Sequence, residues 1–164
     1  EKINISYKNA NEIFLNGELV STDIRKKDIT SGVSAVSALH EVRQFLVNIQ
    51  RKLGKKIDCV IEGRDIGSVV FPNADFKFFL TADIDIRSIR RKNELKKIGE
   101  DLSIDEIKAS IQKRDLIDSS RDLSPLKRSE DSIEIDSSDI TIDEQIEKMI
   151  KIIKNNKEGT SKHV

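Results

Sequence analysis

Two stretches of this chain carry the residue types from which a phosphate- and base-binding site is made. The first is Glu62-Gly63-Arg64-Asp65-Ile66-Gly67, where an Arg and an Asp stand between two glycines. An arginine presents a rigid fork of N–H donors that matches phosphate oxygens, and a carboxylate accepts from an amino group. The second is Lys113-Arg114-Asp115-Leu116-Ile117-Asp118-Ser119-Ser120-Arg121, followed by Ser124-Pro125-Leu126. If a helix continues through Arg121, then Asp118 and Arg121 share one face, with Arg114 one turn earlier. Taken singly, the first stretch also suits a loop with a surface ion pair, and the second a solvated helix face laced with i,i+3 and i,i+4 pairs.

Such residues need a scaffold, and the hydrophobic pattern predicts one. Alternating apolar residues between Lys2 and Val20, with turn chemistry at Asn9-Ala10-Asn11 and Asn16-Gly17, predict a small antiparallel β element. Val33, Val36, Leu39, Val42, Leu46, Ile49 and Leu53 step by three and four, which predicts one helix from Ile29 to Leu53, stopped at Gly54. The short apolar runs Ile57 to Ile61 and Phe76 to Leu80 are expected to be buried strands. Helices are predicted from about Asp85 to Lys97 and from Ser103 to about Ile117, then a strand at Ser132 to Ile135 and a closing amphipathic helix from Thr141 to Ile153. Ser103 with Glu106, and Thr141 with Glu144, have capping-box spacing. The tail from Asn155 to Val164 is polar and expected to fray. Strands separated by helices imply βαβ crossovers and an α/β fold whose parallel sheet is covered on both faces. Ligands of such sheets bind beyond the carboxyl ends of the strands, which is where the run Ile57 to Ile61 delivers Arg64 and Asp65.

Composition narrows the function classes. A length of 164 residues suits one domain with a small appendage. No run approaches the roughly 20 apolar residues of a membrane span, so a membrane is not expected as a partner. The 29 basic residues equal the 29 acidic ones, so no global field draws the chain to a nucleic-acid polymer, and an anion site must be a local arginine cluster. Cys59, the single cysteine, excludes an internal disulfide and sits in an apolar run, where a reduced structural thiol is expected. A reducing cytoplasm is therefore the expected location, and Glu1 to Tyr7 lack the features of a signal peptide. His40 and His163 are not read as metal ligands or acid-base groups.

Taken together and in order, several of these segments resemble the bacterial cytidylate kinases. They are the loop Glu62 to Gly67, Val69-Val70-Phe71-Pro72-Asn73-Ala74, and Arg114 to Leu126, with Val33-Ser34-Ala35-Val36 and Val42-Arg43-Gln44 before them and Ile135-Asp136-Ser137 after. The resemblance covers nearly the whole chain. It implies a P-loop nucleoside monophosphate kinase fold with a parallel central sheet, and residues 1–27 as a small antiparallel β insertion on the CMP-binding side. It also implies a kinase core over 28–154 with a mobile arginine-bearing lid around 84–100, and a flexible tail over 155–164. By the same resemblance, Ser34, Arg43 and Asp65 contact the cytosine, Arg64 and Arg114 the phosphate, and Asp118 and Arg121 the sugar or its surroundings. Arg90 and Arg91, with Arg87 ranked behind them, match the lid, and with Arg114 they would meet the charge of the transferring phosphoryl group. The implied partners are CMP or dCMP with ATP as co-substrate and Mg2+ as cofactor, in a monomer; no metal ligand is expected within this sequence itself. The chemistry is compatible, because cytosine offers an exocyclic amino donor that suits a carboxylate.

The departure from the family lies at the front. None of the seven glycines belongs to a Gly-x-x-x-x-Gly-Lys-Ser/Thr loop, so the first strand, phosphate loop and first helix of such a kinase are expected to be missing from this sequence. The alternative reading is a non-catalytic CMP-binding module. Without a backbone cradle for the ATP phosphates, the 164-residue chain alone is expected to show no phosphoryl transfer from ATP to CMP. A coupled ADP-release assay checks this: turnover by the chain alone refutes the expectation, and activity gained on adding an upstream phosphate-loop segment supports it.

Overall fold

A computed structural model of the chain describes residues 3–9, 12–55, 58–97 and 99–160. By its internal contacts it forms two units, Glu1–Asn48 and Ile49–Val164.

In the first unit, β1 (Ile5–Asn9), β2 (Glu12–Leu15) and β3 (Glu18–Leu19) form an antiparallel sheet in that order. Ile5 stands opposite Leu15 and Tyr7 opposite Ile13, with an irregularity before Asn9–Glu12. The two-residue Asn16-Gly17 loop works as its sequence suggests. Both residues have positive φ, 51° and 90°, the left-handed geometry that matches strand twist in a tight hairpin. The Asn16 side chain also accepts from Asn4 N–H at 2.9 Å. Ala10 and Asn11, part of the other expected turn, lie outside the described residues.

The single helix expected from Ile29 to Leu53 is two: α1 (Lys27–Ser37) and α2 (His40–Gly54), interrupted at Ala38-Leu39. Apolar spacing records which side of a helix faces inward and is silent on whether the backbone ladder is continuous. No Gly or Pro marks this break. Arg43 N–H bonding to Leu39 O at 2.9 Å starts the second ladder.

The second unit is built on β4 (Phe78–Thr81) and β5 (Ile133–Asp136), a parallel pair in which Phe78 faces Ile133 and Thr81 faces Asp136. They are joined by α3 (Ile84–Lys97) and α4 (Ile104–Ser120), which pack on one another. Val70, Leu95, Ile107 and Ile135 are its buried apolar residues. Ser88 is buried as well, its hydroxyl donating to Ile84 O at 2.7 Å. The fold is thus α/β with a small parallel sheet, as the alternation of elements predicts.

The strand expected at Ile57 to Ile61 is absent among the described residues. Ile57 lies outside them, and Asp58 to Glu62 pair with no strand. An apolar run becomes a strand only where a neighbouring backbone takes up its N–H and C=O groups. Val60 is 92% exposed and Cys59 is exposed, so the buried structural thiol expected there is also corrected.

After β5 the chain closes with α5 (Ile142–Thr160), which continues beyond the expected end at Ile153. Residues 161–164, with His163, lie outside the described residues. Of its apolar face, Ile142, Ile146 and Ile150 are exposed while Met149 and Ile153 are partly covered.

Both capping boxes form. Ser103 accepts from Glu106 N–H at 3.2 Å and its own N–H donates to Glu106 Oε2 at 2.9 Å. Thr141 and Glu144 repeat the pattern at 3.2 and 2.7 Å. Ser103→Ala is expected to lower the unfolding free energy by about 1 kcal/mol, read as a shift of the urea midpoint at constant slope. Glu144 adds a pH signature, because the Thr141 backbone N–H and hydroxyl hold its carboxyl below the ordinary glutamate range. Its contribution is complete above the unfolded value and lost as pH falls through the folded one. The stability gap between the native chain and Glu144→Gln should therefore close on acidification below that range, and an unchanged gap would refute the assignment.

Candidate functional site

Asp118 gathers three arginines from different parts of the second unit. It lies in the last turn of α4 with its side chain 3% exposed. Arg64, from the loop before the turn at Ile66–Val70, places Nε 3.1 Å from Asp118 Oδ2. Arg114, one helical turn before Asp118, places Nε 3.7 Å from the same oxygen. Arg121 places Nη1 3.7 Å from Oδ1. These are ion pairs rather than aligned hydrogen bonds, and Oδ2 has no hydrogen-bond partner of good geometry. A buried carboxylate is tolerated only when paired, and here three cations surround one anion.

Local structure sets those positions. Helix α4 ends at Ser120, and Arg121 is its C-cap in extended conformation, φ −69° and ψ 141°. The helix therefore stops one residue short of Arg121, yet the Arg121–Asp118 pair forms. A guanidinium there also complements the partial negative charge of the helix end. Arg121 is nearly buried, and its Nε donates to Ser124 O at 2.6 Å. Ser124 has φ 52°, left-handed backbone that a non-glycine residue adopts at a cost. Leu126 N–H returns to Asp118 O at 2.7 Å, closing the turn.

Asp65 follows Arg64 directly and is 3% exposed. Its carbonyl accepts from Val69 N–H at 2.8 Å and from Val70 N–H at 3.2 Å, opening the π-type turn Ile66–Val70. Close packing surrounds this loop. A Cβ on Gly63 would lie 2.7 Å from Ile66 Cγ1, and one on Gly67 3.1 Å from Lys77 Cδ. Lys77 is itself nearly buried, paired with Asp131 and donating to Pro72 O at 2.7 Å.

The lid-matching arginines of α3 are each engaged. Arg87 pairs with Asp115 of α4 at 2.6 Å. Arg90 reaches Ser137 Oγ at 3.1 Å, Ser137 O at 2.5 Å and Ile140 O at 3.2 Å, tying α3 to the turn after β5. Arg91 pairs with Glu94 one turn on, at 3.0 Å. The remaining two candidates belong to the first unit: Ser34 on α1, whose side chain lies outside the described set, and half-buried Arg43 on α2.

Arg64, Arg114, Asp118 and Arg121 are therefore brought together; helix spacing places Arg114, Asp118 and Arg121 near one another, and packing adds Arg64. The sequence pattern missed the role of Asp115 as the partner of Arg87, and the clamp of Lys77 on Pro72 and Asp131. Neither has a spacing signal, because each pair is made by packing of separate elements. The arginine fork is chemically apt for phosphate: each guanidinium has five donors, so an edge turned to Asp118 leaves another for anionic oxygens. Among the described residues no cluster of three or more His, Cys, Asp or Glu is placed to hold a metal ion. Nor is any helix among them long and apolar enough to cross a membrane.

Comparison with known proteins agrees with this chemistry. The family model described as "Cytidylate kinase" matches residues 1–155. A cytidylate kinase of Clostridium botulinum is 44% identical over 152 residues, covering 93% of this chain and 70% of that protein. One from Clostridium tetani is 46% identical over 149 residues, 91% of this chain and 66% of that protein. A bifunctional pantoate ligase/cytidylate kinase of Prochlorococcus marinus is 46% identical over 142 residues, 86% of this chain and 28% of that protein. With a match along nearly its full length and these identities, the chain belongs to the cytidylate kinase family of phosphotransferases.

Proposed function

We propose that the protein serves the transfer of the ATP γ-phosphoryl group to CMP or dCMP, giving CDP or dCDP. The observation that carries this reading is the buried Asp118 with Arg64, Arg114 and Arg121 drawn around it, in a chain of this family. Arg64 and Arg114, the two more exposed members, turn donors toward the CMP phosphate. Asp118 and Arg121 hold the sugar side, and Asp65 accepts from the cytosine amino group with Ser34 and Arg43 as further base contacts. Uracil would present a carbonyl oxygen to the same carboxylate and be disfavoured.

Phosphoryl transfer asks little covalent chemistry of a protein and much positioning and charge stabilisation. Residues 84–100 are assigned as the lid, with Arg91 and Arg90 meeting the phosphoryl charge. Three of the five Arg90 donors are already used in bonds beyond β5. Magnesium would arrive with ATP and screen its phosphates. Among the described residues no cluster of His, Cys, Asp or Glu is placed to hold it. The β element, residues 1–27, is assigned to the CMP-binding insertion, residues 28–154 to the kinase core and residues 155–164 to a tail.

In a polypeptide extended upstream by a phosphate-loop segment, Asp65→Ala is expected to lower kcat/KM for CMP about tenfold or more, since a lost charged hydrogen bond is worth about 1.5–3 kcal/mol. Unchanged steady-state kinetics would remove the base-reading role. Arg64→Lys is expected to cost more activity than Arg87→Lys, because an ammonium cannot reproduce a bidentate fork on phosphate. Equal losses would show that Arg64 has no special place in the site. An extended polypeptide that folds but leaves CMP untouched refutes the function itself.

A further inference from the structure

Arg51 has no place in the roles assigned above, yet its contacts converge on the loop that carries two of them. It lies in the last turn of α2 and is exposed at the surface. Its Nε donates to Val70 O at 2.9 Å and its Nη2 to Val69 O at 2.7 Å. Those carbonyls end the π-type turn that begins at Asp65, and Phe71 N–H closes the same turn onto Ile66 O at 2.7 Å. The last carbonyls of a helical segment lack partners within it, and a cation at that end is favoured by the backbone dipoles. Single π-type turns are rare and concentrate at functional sites. Two further contacts fix the arrangement: Val70 is 1% exposed, and a Cβ on Gly54 would lie 2.5 Å from Phe71 Cζ.

We infer that Arg51 is a positioning residue for CMP recognition: by clamping the carbonyls of Val69 and Val70 it fixes the turn on which Asp65 and Arg64 are set. The inference rests on the reading of Asp65 as the group that recognises the cytosine amino donor. A fork is needed because two carbonyls on successive residues must be held at once, which one ammonium does poorly. Without the clamp the turn relaxes. Asp65 then loses its fixed direction, and displacements of about 1 Å suffice to cost large factors in binding and rate.

The experiment compares the affinities of the chain for CMP and UMP by titration calorimetry, with amide hydrogen exchange on the same samples. Arg51→Gln is expected to weaken CMP binding about tenfold and UMP binding much less, so that the CMP-to-UMP preference falls. Protection should be lost at the amides of Val69, Val70 and Phe71. Arg51→Lys should retain part of the preference and, as the milder change, keeps the test open if Arg51→Gln fails to fold. Arg128→Gln removes an exposed arginine whose bonds go to Glu134 and Ser132 O and not to Val69 or Val70, and should leave the preference unchanged. An unchanged preference in folded Arg51 variants overturns the inference, and so does an equal loss for both nucleotides, which is what general destabilisation would produce. A native chain that does not distinguish CMP from UMP overturns the base-reading role of Asp65, and this inference falls with it. That failure is seen before any variant is measured.

Discussion

The charge of Asp118 is the constraint around which the second unit is arranged. Removing a carboxylate from water costs several kcal/mol unless cations and donors replace the water. Here that requirement is met by arginines from three places: the loop after residues 58–62, the preceding turn of α4 and the residue that caps α4. A fold that buries this carboxylate must bring all three together, and in doing so it assembles a patch richer in positive than negative groups. The same interaction that stabilises the native arrangement thus leaves a surface whose chemistry suits a doubly charged phosphate.

The exposure of the three arginines is graded in a way that separates tasks. Arg121 is nearly buried and spends a donor on Ser124 O, holding the turn that follows α4 in its left-handed conformation. Arg64 and Arg114 are progressively more open, so they are the members able to meet a ligand without disturbing the framework. In α3 the order differs. Arg90 is committed to carbonyls beyond β5, while Arg91 pairs with a neighbouring glutamate on its own helix.

What was legible in the sequence was whatever local chemistry decides. Asn16-Gly17 announced its hairpin because few other residues accept positive φ at both positions, and Ser103 and Thr141 announced helix starts because the reciprocal bonds are made within four residues. Asp118 and Arg121 were readable together for the same reason. The interruption at Ala38-Leu39 was hidden, since apolar stepping continues across it. The run Ile57 to Ile61 misled over its described residues, because strand formation depends on a neighbour that no apolar pattern can specify. Arg64 reaching Asp118, Arg87 reaching Asp115 and Arg51 reaching Val69 and Val70 were beyond pattern altogether. Each joins segments distant in sequence through packing.

The parallel pairing of β4 with β5 carries a kinetic consequence. Its partners, from Phe78 with Ile133 to Thr81 with Asp136, are separated by the whole of α3 and α4, so the ladder gains nothing until a long loop has closed. Helix formation in that intervening segment shortens the loop, and the capped start of α4 at Ser103 favours it locally. Connectivity thus favours condensation of the helical pair ahead of strand registration, the step that buries Ile135 between its neighbours. Until that moment both strands present unpaired backbone, which makes the interval before closure the period of greatest exposure to aggregation.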